Sequence, residues 1–192
     1  MFRKLRLLII ILFMPLFGFQ NLLGNISPIT NINYSFENIF FCRDIYIPSS
    51  KGAVTDFEQI FTAKEIKRIT NRIRAIKNST GNEIAVVSLD STHCNVENFD
   101  GYVLHLANLW GVGAENLNNG VLIGVSEQFR KIRICNGLAI ETILSDNQTK
   151  EIIENNFIPK FKKNKYFRGV MNGLDALETH FLTHQIVVAK IF

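Results

Sequence analysis

Residues 44–184 predict an α/β domain, a single mixed β-sheet with helices on both faces (a three-layer sandwich). Three observations lead there. Two short runs, Glu83–Leu89 and Gly120–Val125, are apolar on consecutive positions, as strands covered from both sides are. Segments whose apolar residues recur every three or four positions alternate with them, as helices lying on such a sheet do. A third extended run follows the second after a short polar turn, which adds an antiparallel partner and makes the sheet mixed.

In chain order, Thr62 and Glu65 form a capping box, each side chain satisfying a backbone N–H that a helix start leaves orphaned. Ile66, Ile69, Ile73 and Ile76 then stack on one helical face, and Gly81 suits the left-handed turn past the helix end. The strand Glu83–Leu89 follows. Phe99, Val103, Leu106 and Trp110 mark a second amphipathic helix, ended by Gly111. Gly120–Val125 is the next strand, and the turn Ser126–Phe129 leads into a third in which Ile132 and Ile134 alternate with Lys131 and Arg133. Ser145 and Gln148 offer a second capping box for a helix through Asn155. Tyr166, Val170, Leu174, Leu177 and Phe181 define a last long helix, in which Gly169 and Gly173 leave room for close packing.

The composition agrees with one compact domain. Of 192 residues 47% are apolar, too many for a disordered chain, and the 12 Gly and 4 Pro follow no repeat. The formal net charge is +4, but Arg3, Lys4 and Arg6 supply three of those charges and the remainder carries only +1. That balance gives no basic footprint for neutralising phosphates, so no nucleic-acid partner is expected.

The three early cations precede an apolar run, Leu7–Phe19, too short to cross a bilayer as a stable helix unless Leu22–Gly24 extend it. Residues 1–24 therefore read as a signal peptide or an N-terminal anchor, and the expected location is the periplasm or cell envelope. Residues 25–43 read as a linker, lacking helical or strand period, and 185–192 as a C-terminal tail. Cys42 follows bulky Phe40 and Phe41 and does not suit a lipid acceptor. Cys42, Cys94 and Cys135 allow three alternative single disulfides and leave one thiol over in each, with neither zinc spacing nor a C-x-x-C pair.

From Pro48 to Leu177 the landmarks fall in a known order. They are Ile47-Pro48 with Gly52, Val54 and Asp56; Thr80-Gly81 before Ile84-Ala85-Val86-Val87; and Trp110-Gly111-Val112-Gly113. Asn119-Gly120-Val121-Leu122-Ile123, Arg130-Lys131-Ile132-Arg133-Ile134, Gly137 with Glu141, and Asp146 come next. Ile158-Pro159-Lys160-Phe161, then Tyr166 and Gly169, complete the series. In this order the chain resembles the TPM domain family, named after a thylakoid lumen protein, a photosystem II repair protein and a modulator of an acetylcholine receptor. The resemblance implies an extracytoplasmic α/β sandwich whose members are described as acid phosphatases, calcium binders or accessory factors in membrane-protein repair. Two departures matter: Asn118 stands where many members carry Asp, and Ala139 where many carry Gly.

Carried onto this chain, the resemblance singles out Asp56, Glu141 and Asp146, joined by the amides of Asn118 and Asn119, as an oxygen-rich pocket for Ca2+ or Mg2+ if their loops converge. Asp56 and Asp146 equally suit the ordinary roles of Asp at turns and helix starts. Arg130, sharing the parity of Ile132 and Ile134, is expected to open a strand from the buried face and to hold phosphate, or else to pair with one of those carboxylates. His93, His105, His180 and His184 give no acid–base constellation, and there is no G-x-S-x-G elbow or Gly-rich phosphate loop. Lys160, Lys162, Lys163, Lys165 and Arg168 form a basic run that reads as a solvated loop or as a contact for anionic lipid headgroups. The expectation is an exported accessory or binding module, with a membrane protein or membrane surface as partner and a divalent ion as cofactor; the alternative is a metal-dependent acid phosphatase.

Overall fold

The computed structural model describes residues 47–191, with side chains to residue 184. The signal or anchor segment, the linker and Cys42 lie outside the described residues, so the expectations for them stay as they were. One four-stranded sheet runs in the order β1 (Val54–Asp56), β2 (Glu83–Ser88), β3 (Gly120–Ser126) and β4 (Lys131–Asn136). The first three strands are parallel and β4 returns antiparallel to β3. Strand β1 is an addition to the predicted set.

The helices are α1 (Ala63–Thr80), α2 (Phe99–Trp110), the short α3 (Leu138–Glu141), α4 (Asp146–Ile152), α5 (Ile158–Phe161) and α6 (Tyr166–Ile191). Both predicted capping boxes are formed, and Gly81 and Gly111 take the left-handed conformation just past α1 and α2. Helix α6 continues into the expected tail as far as Ile191.

Strand parity sorts the core into two layers. Ile84, Val86, Val121, Ile123 and Ile134 face α1 and α6 and meet Ile69, Ile73, Ile76, Val170, Leu174 and Phe181. Ala85, Val87, Leu89, Leu122 and Cys135 face α2 and meet Phe99, Val103 and Leu106. Helices thus cover both faces.

The helix predicted through Asn155 changes form. Residues Ile153–Phe157 are a π-helical turn ahead of Pro159, which lacks the N–H that would bond the Asn155 carbonyl in a regular α-helix. The turn presents Phe157 to α6, where a Cβ on Gly173 would lie 1.9 Å from the Phe157 ring and one on Gly169 2.3 Å from that of Phe161. Close packing is therefore why α6 carries these two glycines.

Candidate functional site

At the C-terminal end of the parallel strands, Asp56 sits beside Ser88 in the β1–β2 register. Its carboxylate accepts from the N–H of Ile60 (3.2 Å) and Phe61 (2.9 Å) and from the Ser88 hydroxyl. It therefore ties down the loop into α1. Glu58 reaches across to the β3–β4 turn and accepts from the N–H of Glu127 (2.8 Å) and Gln128 (2.7 Å), while burial pushes its carboxyl above the ordinary value. Ser88 also accepts from the Glu58 N–H at 3.0 Å. Asp90 accepts from the N–H and hydroxyl of Thr92, an Asx turn, and lies 2.8 Å from the Nδ1 of His93. Glu58 and Ser88 did not stand out in the sequence, because their partners lie about 30 to 70 residues away and are reached only after folding.

Arg130 lies at this end too, but not as expected. It is an exposed turn residue with φ 52°, its N–H bonded to the Glu127 carbonyl at 3.2 Å, and β4 begins one residue later. The left-handed conformation breaks the strand parity that would have started its side chain on the buried face. Its charge is felt at Tyr166, the first residue of α6: burial raises the phenol, the charges of Glu127 and Glu58 add to the rise, and that of Arg130 opposes it.

The opposite end holds the other predicted ligands. Asn119, 9% exposed, accepts from the Ala114 N–H with Oδ1 (2.8 Å) and donates from Nδ2 to the Gly81 carbonyl (2.7 Å); its own carbonyl accepts from the Glu83 N–H (3.0 Å). Two loops, α1–β2 and α2–β3, are knotted through one residue. The neighbouring backbone is equally tight, since a Cβ on Gly120 would lie 1.8 Å from the Val112 carbonyl oxygen. Asn118 is exposed, and only its carbonyl is used, by the Ala139 N–H (3.1 Å).

Glu141 and Asp146 are exposed on the wall of a groove of about 420 Å³ along β4, with Leu104, Arg133, Asn136 and Thr149. There the Asn136 Nδ2 donates to the Thr149 hydroxyl at 2.9 Å, while its Oδ1 is buried without a partner among the described residues. The Gly137 N–H bonds the Gly120 carbonyl, which fixes the alternation of the antiparallel ladder. By that alternation Ile132, Ile134 and Asn136 turn their N–H and C=O groups to the open edge above the groove. Leu104 borders it 46% exposed, and Leu117 and Leu138, at 59% and 68%, flank the Asn118–Ala139 bond. A second cleft, of about 350 Å³, opens between α1 and the start of β2, lined by Arg74, Lys77, Glu83 and Trp110.

The five predicted ligands thus do not share one pocket. Asp56 ends a parallel strand and Asn119 precedes one, so the five register steps from Glu83–Gly120 to Ser88–Val125 lie between them, roughly 17 Å. The carboxylate of Asp56 and the amide of Asn119 are already engaged. What remains together is Glu141 and Asp146, two exposed carboxylates against the six to eight oxygens that Ca2+ takes. Among the described residues no three His, Cys, Asp or Glu side chains group as a metal site, and no helix is long and apolar enough to cross a membrane. His180 donates to the Ile143 carbonyl (2.6 Å) and His184 to that of His180 (2.9 Å). Cys94 and Cys135 are free thiols, Cys94 pushed up to about 11 by burial.

Residues 54–180 match the sequence profile of the TPM domain. No curated protein matches the chain. Among solved structures, the N-terminal domain of a P. gingivalis protein is similar at 32% identity and TM-score 0.59, the match covering 67% of this chain and 80% of that one. The BA42 protein of the psychrophilic bacterium Bizionia argentinensis (24%, TM-score 0.55, 66% and 85%) shares the fold. So does the N-terminal domain of a Corynebacterium glutamicum protein (15%, TM-score 0.53, 69% and 82%).

Proposed function

The chain belongs to the TPM domain family, and from that premise we propose that it is an exported cell-envelope module that binds rather than hydrolyses, serving membrane-protein maintenance or assembly. One observation carries this reading: Asp56, Glu58 and Asn119, the polar side chains best placed for chemistry at the two sheet ends, are bonded to main-chain groups of their own fold. A hydrolase needs a nucleophile or activated water beside a free base. A binding module needs surface instead, and the groove along β4, with its open main-chain edge and exposed Leu104, supplies it. A divalent ion has a place in this reading only at Glu141, Asp146 and Asn136, as a weak stabiliser of the groove.

The acid-phosphatase alternative draws on a different observation: Arg130 lies in the β3–β4 turn that Glu58 holds, at the sheet end where Ser88 links Glu58 to Asp56. Hydrolysis of para-nitrophenyl phosphate by the purified 192-residue chain, with Ca2+, Mg2+ or chelator, separates the two. The binding reading expects no turnover above a blank. Saturable turnover that is lost in Arg130→Ala, without a change in melting, would replace it with the phosphatase.

A further inference from the structure

The basic run ahead of α6 does not stand alone in the fold. Helices α1 and α6 lie side by side in the same direction: the Arg68 guanidinium covers the Phe167 ring at 4.8 Å, and one turn on Arg72 bonds Asp175 (2.7 Å) and Glu178 (2.6 Å). Their first turns therefore meet at one end of the molecule. There Lys64, Lys67 and Arg68 of α1 join Lys162, Lys163 and Lys165, all six exposed. None of the six is in an ion pair among the described residues, as is also true of Lys51, Arg74, Arg130 and Arg133, whereas Arg72, Lys77, Lys131 and Lys150 are paired.

Local electrostatics accounts for half of this arrangement. Lys162, Lys163 and Lys165 follow the C-terminal end of α5, which favours cations, whereas Lys64, Lys67 and Arg68 lie in the first two turns of α1. A helix start carries the positive end of the macrodipole and prefers acids. The first turn of α1 has one acid, Glu65, held in the capping box, and that of α6 has none. Two acids whose charge is felt at Tyr166, at the start of α6, are Glu127 and Glu58, the latter bonded to the β3–β4 turn. Two segments far apart in sequence thus bring six exposed cations, Arg68 stacked on Phe167 among them, to one end of the domain, where the first turns of α1 and α6 hold the single acid Glu65.

We infer that this end of the domain docks on an anionic membrane surface, through lipid phosphate headgroups. Charge complementarity selects an anion, and neither the cleft along β4 nor that beside the start of β2 is lined by any of the six, so they offer an exposed surface rather than a pocket. The inference deepens the envelope-module reading and rests on it for the membrane.

The test is co-sedimentation of the 192-residue chain with phosphatidylcholine vesicles with or without about 30 mol % phosphatidylglycerol. At about 1 kcal/mol per cation near an anionic surface, or roughly fivefold each, Lys162→Gln/Lys163→Gln/Lys165→Gln lowers partition onto anionic vesicles about a hundredfold. Salt raised from about 50 to about 500 mM does the same to the parent chain. Binding to pure phosphatidylcholine, which reads any insertion of the N-terminal apolar segment, does not change between variants. Arg74→Gln/Arg133→Gln/Lys150→Gln, an equal charge loss on other faces, moves anionic partition less than about threefold if position rather than net charge decides. Equal losses in both triples, or none in the first with its melting unchanged, overturn the inference. So does displacement by millimolar inorganic phosphate at constant ionic strength, which marks a small-anion site, or equally tight binding of duplex DNA. Failure of the module reading shows separately, as phosphate-ester turnover.

Discussion

Asn119→Asp tests the division of labour most sharply, because it is nearly isosteric and acts on a single contact. The substitution keeps an acceptor for the Ala114 N–H but replaces the Nδ2 donor with an oxygen 2.7 Å from the Gly81 carbonyl. Losing that bond and leaving a buried acceptor unpaired costs about 1–3 kcal/mol. Burying a charge with one donor adds to this, for a total of roughly 3–4 kcal/mol at neutral pH. For a domain of this size that is on the order of 10 °C in Tm. Protonation relieves the charge, so the deficit is smallest in acid and grows as pH rises above about 4, where the same carboxyl ionises in the unfolded chain. Asn118→Asp is the control: its side chain is exposed, Asp tolerates the φ of 51° as Asn does, and the change stays within about 0.5 kcal/mol. Differential scanning calorimetry across pH measures both. Equal effects, or an Asn119→Asp protein as stable as the parent, would refute the knot.

Gly173→Ala forces a Cβ to within 1.9 Å of the Phe157 ring and is expected to cost about 1–3 kcal/mol, with Phe157→Leu recovering part of it in a double-mutant cycle. Because burial raises the Glu58 carboxyl, the parent's stability relative to Glu58→Gln is greatest below the ordinary value of 4.5 and falls as pH rises through the folded-state value; urea midpoints at several pH values follow that slope. Cys94 and Cys135 are expected to resist iodoacetamide at pH about 8 in the folded protein and to react at once in urea, since burial raises both thiols.

Features set by neighbours in sequence were legible beforehand. The Thr62–Glu65 and Ser145–Gln148 boxes, the isoleucine face of α1 and the alternation in β4 each depend on residues within a turn or two, and they formed as expected. Strand β1 was not legible: three residues carry no period, and only pairing with Val86–Ser88 makes them a strand. Arg130 was misplaced because the left-handed position of a hairpin turn usually announces itself with Gly or Asn, and here an Arg holds it. The metal expectation rested on the loops at family positions converging at one end of the sheet, and the strand directions separate them. Asp56 after a strand and Asn119 before one belong to opposite ends, and that step needed only the strand directions. The partners of Glu58, about 70 residues away at the β3–β4 turn, could not be read from any local pattern.

The central claim is that the family's polar positions form two separate ends, mostly spent on the fold, rather than one five-residue site. The most direct measurement is a Ca2+ titration followed by amide chemical shifts. Shifts limited to Asn136, Glu141, Asp146 and their neighbours, with the amides of Asp56, Ser88 and Asn119 unmoved, are the predicted result. One saturable set of shifts that takes in Asp56 together with Asn119 and Asp146 would contradict it.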